Sequence, residues 1–197
     1  MRKTWRRALG ISALLATTIL ASSCATPIEP VIGYTCCNLR ADAGWISSNN
    51  VQYGALIPAG EVVKLTSVKR RFYVYGTIGD QGLGLRDDSA KTEQDTLRWV
   101  RRIVVAEDPR RQLSSWPADV RSAVASARVA VGMTRAQVAM ALGHPSPNDT
   151  PDAAAADSWR YWVAIEDEPV DLRFGRDGRV VEISGKASAV NRIELQR

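Results

Sequence analysis

Histidine occurs once in this chain, at His144, and cysteine three times, at Cys24 and the adjacent pair Cys36-Cys37. One imidazole without a second cysteine cluster leaves no ligand set for a metal. His144 also sits in a Gly-His-Pro turn with no nucleophile spaced to form a triad with it. A strong charge of one sign is missing too. Of the 26 basic side chains, four (Arg2, Lys3, Arg6 and Arg7) cluster at the N-terminus, where no acid stands, leaving 22 basic against 21 acidic side chains in the rest. That balance excludes the surviving basic stripe that nucleic-acid binding needs. A phosphate loop is missing as well: GTIGDQGLGLRDD is glycine-rich, but no helix opens after it and no Gly-Lys-Ser/Thr is present, so it reads as a turn between short strands. Asp87-Asp88 and Glu166-Asp167-Glu168 read as solvated turns rather than opposed catalytic carboxylates. No catalytic residue, metal or cofactor is expected, and the chain is read as a non-enzyme.

No apolar run is long enough to span a bilayer, which takes roughly 20 residues. The run from Ala8 to Leu20 follows the positive n-region and matches a signal-peptide core. LASSC then looks like a bacterial lipobox, with Ala21 in the slot usually held by leucine and Cys24 as the lipidated first residue. The other reading is ordinary cleavage at ASS or SCA, which releases a soluble periplasmic protein. With lipidation, acyl chains alone hold the protein to a membrane, and Ala25 after the cysteine resembles the outer-membrane address. The expected location is the outer membrane, lipid-anchored and facing the periplasm. Cys36 and Cys37 stand about 3.8 Å apart, closer than the usual disulfide separation. They are either two small buried thiols or one strained vicinal disulfide in a turn.

What is present organises the chain as a signal peptide over 1–23, a lipidated, proline-bearing tether over 24–37, a β-rich region with one helix over 38–106, a second domain over 116–185 and a tail over 186–197. LIPAGEVVKL contains a Pro-Ala-Gly turn, and EVVKLTSV and RFYVYGTI suggest a hairpin broken at Lys69-Arg70. TEQDTLRWVRRIVV (92–105) is helical by period, with Leu97, Trp99, Val100, Ile103 and Val104 on one arc and Arg98, Arg101 and Arg102 on the other. AEDPRRQLSSWP marks the boundary near Pro109.

In the second domain PADVRSAVASA sets Val120, Ala123, Val124 and Ala127 at helical spacing. In VGMTRAQVAMALGHPSP, Thr134 is an N-cap, Gln137 completes a capping box and Met133 can staple onto Val138. Gly143 fits a left-handed C-terminal position and Pro145 forbids continuation. Two turns of helix cannot stand alone, so this stretch is scaffold. SWRYWVAI, PVDLRF and RVVEIS follow as strands, the last two joined by the hairpin signal GRDG. The expected fold class is α+β, with two C-terminal helices packed on a three-stranded antiparallel sheet, preceded by a small β-rich region with one helix.

GMTRAQVAMALGHP, then WRYW, then VDLRFGRDGRVVEI, resembles the SmpA/OmlA (BamE-like) family of small lipoproteins, over about residues 116–185. The resemblance implies that fold and a role in the bacterial cell envelope, including outer-membrane β-barrel assembly. The N-terminal β-rich region has no counterpart in the family pattern.

Alternation in SWRYWVAI puts Trp159, Tyr161, Val163 and Ile165 on one face and Arg160 and Trp162 on the other. With Arg173 of the next strand, Arg160 and Trp162 form the candidate protein-binding site, since Trp and Arg are favoured at interfaces. The competing reading is that the N-terminal region folds over this face. The expected function is a non-catalytic protein-binding or scaffolding module with envelope or outer-membrane assembly proteins as partners. The alternative is a periplasmic sensor or binder of a cell-wall or lipid ligand, which an apolar pocket in the β-rich region would favour.

Overall fold

The computed structural model describes residues 25–163 and 168–196. The expected signal peptide, Cys24, Ile165, and Glu166 and Asp167 of the acidic turn lie outside the described residues.

Strands β1 (Thr26–Thr35), β2 (Leu39–Ala41), β3 (Trp45–Ser47), β4 (Ala55–Ile57), β5 (Val62–Lys69), β6 (Tyr73–Ile78) and β7 (Gln81–Arg86) lead into helix α1 (Glu93–Ile103), and β8 (Val104–Val105) follows it directly. Six of these strands form one curled sheet in the order β3-β7-β6-β5-β1-β8, while β2 and β4 pair separately. Strand β5 shows how the curl arises. Val63 and Leu65 are buried at a spacing of two, then the register with β6 slips between Leu65 and Ser67, and Val68 becomes the next buried residue. A residue inserted in this way bends and twists its strand. Opposite the slip, a Cβ on Gly76 would stand 2.0 Å from the Lys64 carbonyl oxygen, so only glycine permits the backbones to approach there. The α1 residues Val100 and Ile103 share one core with Val63, Leu65, Val74 and Leu85.

Helices α2 (Arg110–Ser114), α3 (Ala118–Ala125) and α4 (Arg135–Leu142), strands β9 (Ser158–Trp162), β10 (Pro169–Phe174) and β11 (Val180–Gly185), and helix α5 (Ala187–Ile193) complete the chain. The strands pair in the order β11-β10-β9. Trp159, Tyr161, Leu172 and Phe174 share a second core with Val124, Val138, Leu142, Ala189 and Ile193. The capping box on α4 is reciprocal: Thr134 accepts from the Gln137 amide, and the Gln137 side chain accepts from the Thr134 amide at 2.8 Å. Gly143 ends the helix with φ +79 and ψ 174, a positive-φ extended residue rather than a left-handed helical one.

This architecture corrects the expected fold class. The described residues are mixed α/β, dominated by the six-stranded sheet, with two smaller sheets and five short helices among them. It is not an α+β unit of two helices on three strands with a small β-rich prefix. The error began at the supposed tether 24–37, where Thr26–Thr35 is instead an inner strand between β5 and β8. Its prolines are tolerated because β8 pairs only with Tyr34 and Thr35, and Pro27 borders a slip in the register with β5. The helix expected over 92–105 stops at Ile103, and Val104 and Val105 become the sheet's last strand. The supposed tail carries α5, whose Ala189 and Ile193 are buried.

Candidate functional site

A helix leaves its last carbonyls without partners, and in α4 those carbonyls meet side-chain amides from the N-terminal half. Asn38 Nδ2 donates to Val124 O at 2.6 Å and to Ala141 O at 3.0 Å, while its Oδ1 accepts from the Ala59 amide at 3.0 Å. Asn50 Nδ2 donates to Leu142 O at 2.8 Å and His144 O at 2.7 Å, and Gln52 Nε2 also donates to Leu142 O at 2.8 Å. The Gly143 carbonyl accepts from the buried Tyr161 hydroxyl at 2.8 Å. Burial of that phenol pushes its pKa well above the ordinary value, so it stays a donor.

These amides bring the turn after α4 against the first half of the chain, and a cleft of about 380 Å³ opens at the junction. Such a volume lies in the usual range for small-molecule sites. Leu39, Ile46, Trp99 and Ile103 line it from the β-rich half, and Pro145 and Pro147 from the turn. Trp45 also lines it, its ring lying over Gly84 and edge-on to Tyr73 and Tyr75 at 5.3 and 5.7 Å. Arg40, Arg86 and Arg102 supply positive charge to the lining and Asp42 the one carboxylate. Arg86 is paired with Asp88 at 2.6 Å. The glycine-rich stretch, expected as a turn, runs from the end of β6 through the turn at Gly79-Asp80 and all of β7, and contributes only Arg86 to the cleft.

His144 is half-buried in the cleft wall rather than solvated. Burial first, and Arg102 second, hold its imidazole below the ordinary value of 6.5. The unfolded chain therefore takes up this proton more readily than the folded one. The contribution is fully favourable above about pH 6.5 and is lost as pH falls toward the lower folded value. We expect the melting temperature to drop between pH 7 and pH 5, and His144→Gln to flatten that drop. Parallel profiles for the two proteins would show that His144 does not carry it.

Asp87, expected in a solvated pair, is buried and accepts hydrogen bonds from Ser48 Oγ at 2.9 Å, Ser89 N at 3.1 Å and Ser89 Oγ at 2.9 Å. Cys36 and Cys37 are joined as a vicinal disulfide. Among the described residues no group of three His, Cys, Asp or Glu is placed to hold a metal ion.

The sequence-derived site divides. Cys24 lies outside the described residues. Arg160, Trp162 and Arg173 do share the outward face of the small sheet, with Arg160 and Arg173 exposed and Trp162 half-buried. Both arginines are already paired across the strands: Arg160 Nε and Nη2 donate to Asp171 at 2.8 Å each, and Arg173 Nε donates to Glu182 at 2.8 Å. Trp162 Nε1 donates to Asp149 Oδ2 at 3.0 Å, and from the N-terminal region the Gln52 amide donates to Trp162 O at 2.7 Å. Trp162→Ala should therefore cost about 1–2 kcal/mol, between a surface change and a fully buried aromatic. Thermal melting checks this; a loss of 4 kcal/mol or more, on the order expected for a core aromatic, would mark Trp162 as core. Compared with family models, with curated proteins and with solved structures, the chain matches none.

Proposed function

We propose that this chain is an outer-membrane lipoprotein, anchored through Cys24 and facing the periplasm, whose folded part is a non-catalytic binding module of the bacterial cell envelope. The signal segment, the lipobox and the SmpA/OmlA resemblance support the location. The observation that carries the binding role is the apolar cleft between the two halves of the chain. It favours the binder of a cell-wall or lipid ligand over the scaffold. Aromatic and aliphatic walls with a few polar groups are the usual composition of such sites.

The protein-scaffolding reading, with barrel-assembly proteins as partners, rests on Trp162 and its neighbouring arginines. Their face stays open, but its charges are satisfied internally, which leaves less for a partner to gain.

Two measurements test the proposal. Cys24→Ser should abolish acylation and shift the protein out of the outer-membrane fraction; unchanged fractionation and migration would rule out the anchor. For the cleft, 1-decanol titrated calorimetrically into the full chain carrying Cys24→Ser should bind at one site, and Trp99→Ala should weaken it. Binding that Trp99→Ala leaves unaltered would exclude the cleft.

A further inference from the structure

The cleft is apolar along its walls and positively charged among its lining residues, and the charge is not balanced from within. Arg40 carries the clearest sign of this. Its Nη1 donates to Gly54 O at 3.3 Å, but its Nε is buried without a hydrogen-bond partner among the described residues. Its guanidinium is partly withdrawn from water, and no carboxylate pairs with it among the described residues. A charge removed from solvent without a partner is costly, and an arriving opposite charge relieves that cost. Arg102, on the outward side of α1, is the second cation without an ion pair among the described residues. It stands near enough to His144 to depress its protonation. Arg86 is neutralised by Asp88, and Asp42 is the single acid set against the other two.

We propose that the cleft takes a single-chain anionic amphipath: an aliphatic tail between Trp99, Ile46 and Ile103, and a carboxylate or similar head held by Arg40 and Arg102. This inference rests on the cleft being the binding site. A neutral apolar ligand would fill the walls and leave Arg40 as it is. An anion would accept from the outer guanidinium nitrogens of Arg40 in a charge-assisted bond, the stronger class of hydrogen bond, and so compensate the charge whose Nε stays buried and unpaired among the described residues. The cleft's size suits one tail rather than the several of a bilayer lipid.

The test compares decanoate with 1-decanol, both below aggregation, on the full chain carrying Cys24→Ser, so that no acyl group competes. Decanoate should bind about tenfold tighter or more, one charge-assisted contact being enough for that ratio. Added salt should narrow the gap. Arg40→Gln should erase the preference, bringing the affinity for decanoate down to that for decanol. Arg102→Gln, at an exposed position that folding tolerates, should reduce the preference even if the Arg40 variant proves unstable. Equal affinity for decanoate and decanol, unmoved by either variant, overturns the anionic head while leaving the cleft as a binding site. Binding of neither ligand overturns both. Cosedimentation with phosphatidylglycerol vesicles, lost in both arginine variants, together with no decanoate preference, would assign the arginines to a membrane surface and overturn the proposal.

Discussion

Asn38→Ala should lower the free energy of unfolding by about 3–5 kcal/mol, because it strands two buried polar groups at ~1–3 kcal/mol each and takes a second donor from a third. Ala141 O loses its donor and the Ala59 amide its acceptor, while Val124 O keeps the Ala127 amide at 3.0 Å. Asn38 is buried, so water cannot substitute freely. Asn38→Asp is the informative control. It keeps an acceptor for Ala59 but turns a carboxylate toward two carbonyl oxygens, so it should be at least as damaging as alanine. Urea unfolding of the two variants measures both effects. A loss below ~1 kcal/mol for Asn38→Ala, the net worth of one ordinary hydrogen bond, would mean that the bonds seen at this junction contribute little in solution.

The second large effect is expected at Gly143. Its φ of +79 is a conformation that β-branched residues avoid. A Cβ there would also stand 3.0 Å from Asn50 Nδ2 and 3.3 Å from Asn38 O. Gly143→Val must strain the backbone and displace the Asn50 amide from the Leu142 and His144 carbonyls, a combined cost of about 3 kcal/mol or more. Thr134→Ala, at the other end of the same helix, should cost only about 0.5–2 kcal/mol, the range for losing an N-cap. Thermal melting of the pair distinguishes the two ends. Equal, small shifts would show that the helix does not depend on how its C-terminal end is held.

What could be read from the sequence was local. The Thr134–Gln137 capping box lies within four residues, and its chemistry is visible without a partner. Strands β9 and β10 follow from alternation, because each keeps one face in the core, whereas β11 is buried only at Val180. The six-stranded sheet was not readable in the same way. Pro27 and Pro30 argue against a strand, and what allows them is non-local: β8 is too short to cover them, and the register with β5 slips between Pro27 and Val31. Val104 and Val105 continue the apolar period of α1, so nothing local announces that they leave it. His144 reads as a loop residue because the groups that bury it come from elsewhere in the chain. The Asp87 carboxylate looked solvated because its partner Ser48 lies 39 residues away. The cleft escaped for the same reason, its walls coming from 39–53, Arg86, 99–103 and 143–147.

The amides that hold the end of α4 bear on how this protein can be inherited and rearranged. Asn38, Asn50 and Gln52 precede the boundary near Pro109, while the carbonyls they satisfy follow it. A gene fragment encoding only the later half would deliver α4 with its terminal carbonyls bare and its second core lacking Ala59. Shuffling at that boundary is therefore a poor route to a working chimera. A donor segment succeeds only if it brings amides at matching positions, so the two halves should travel together through evolution as one cassette.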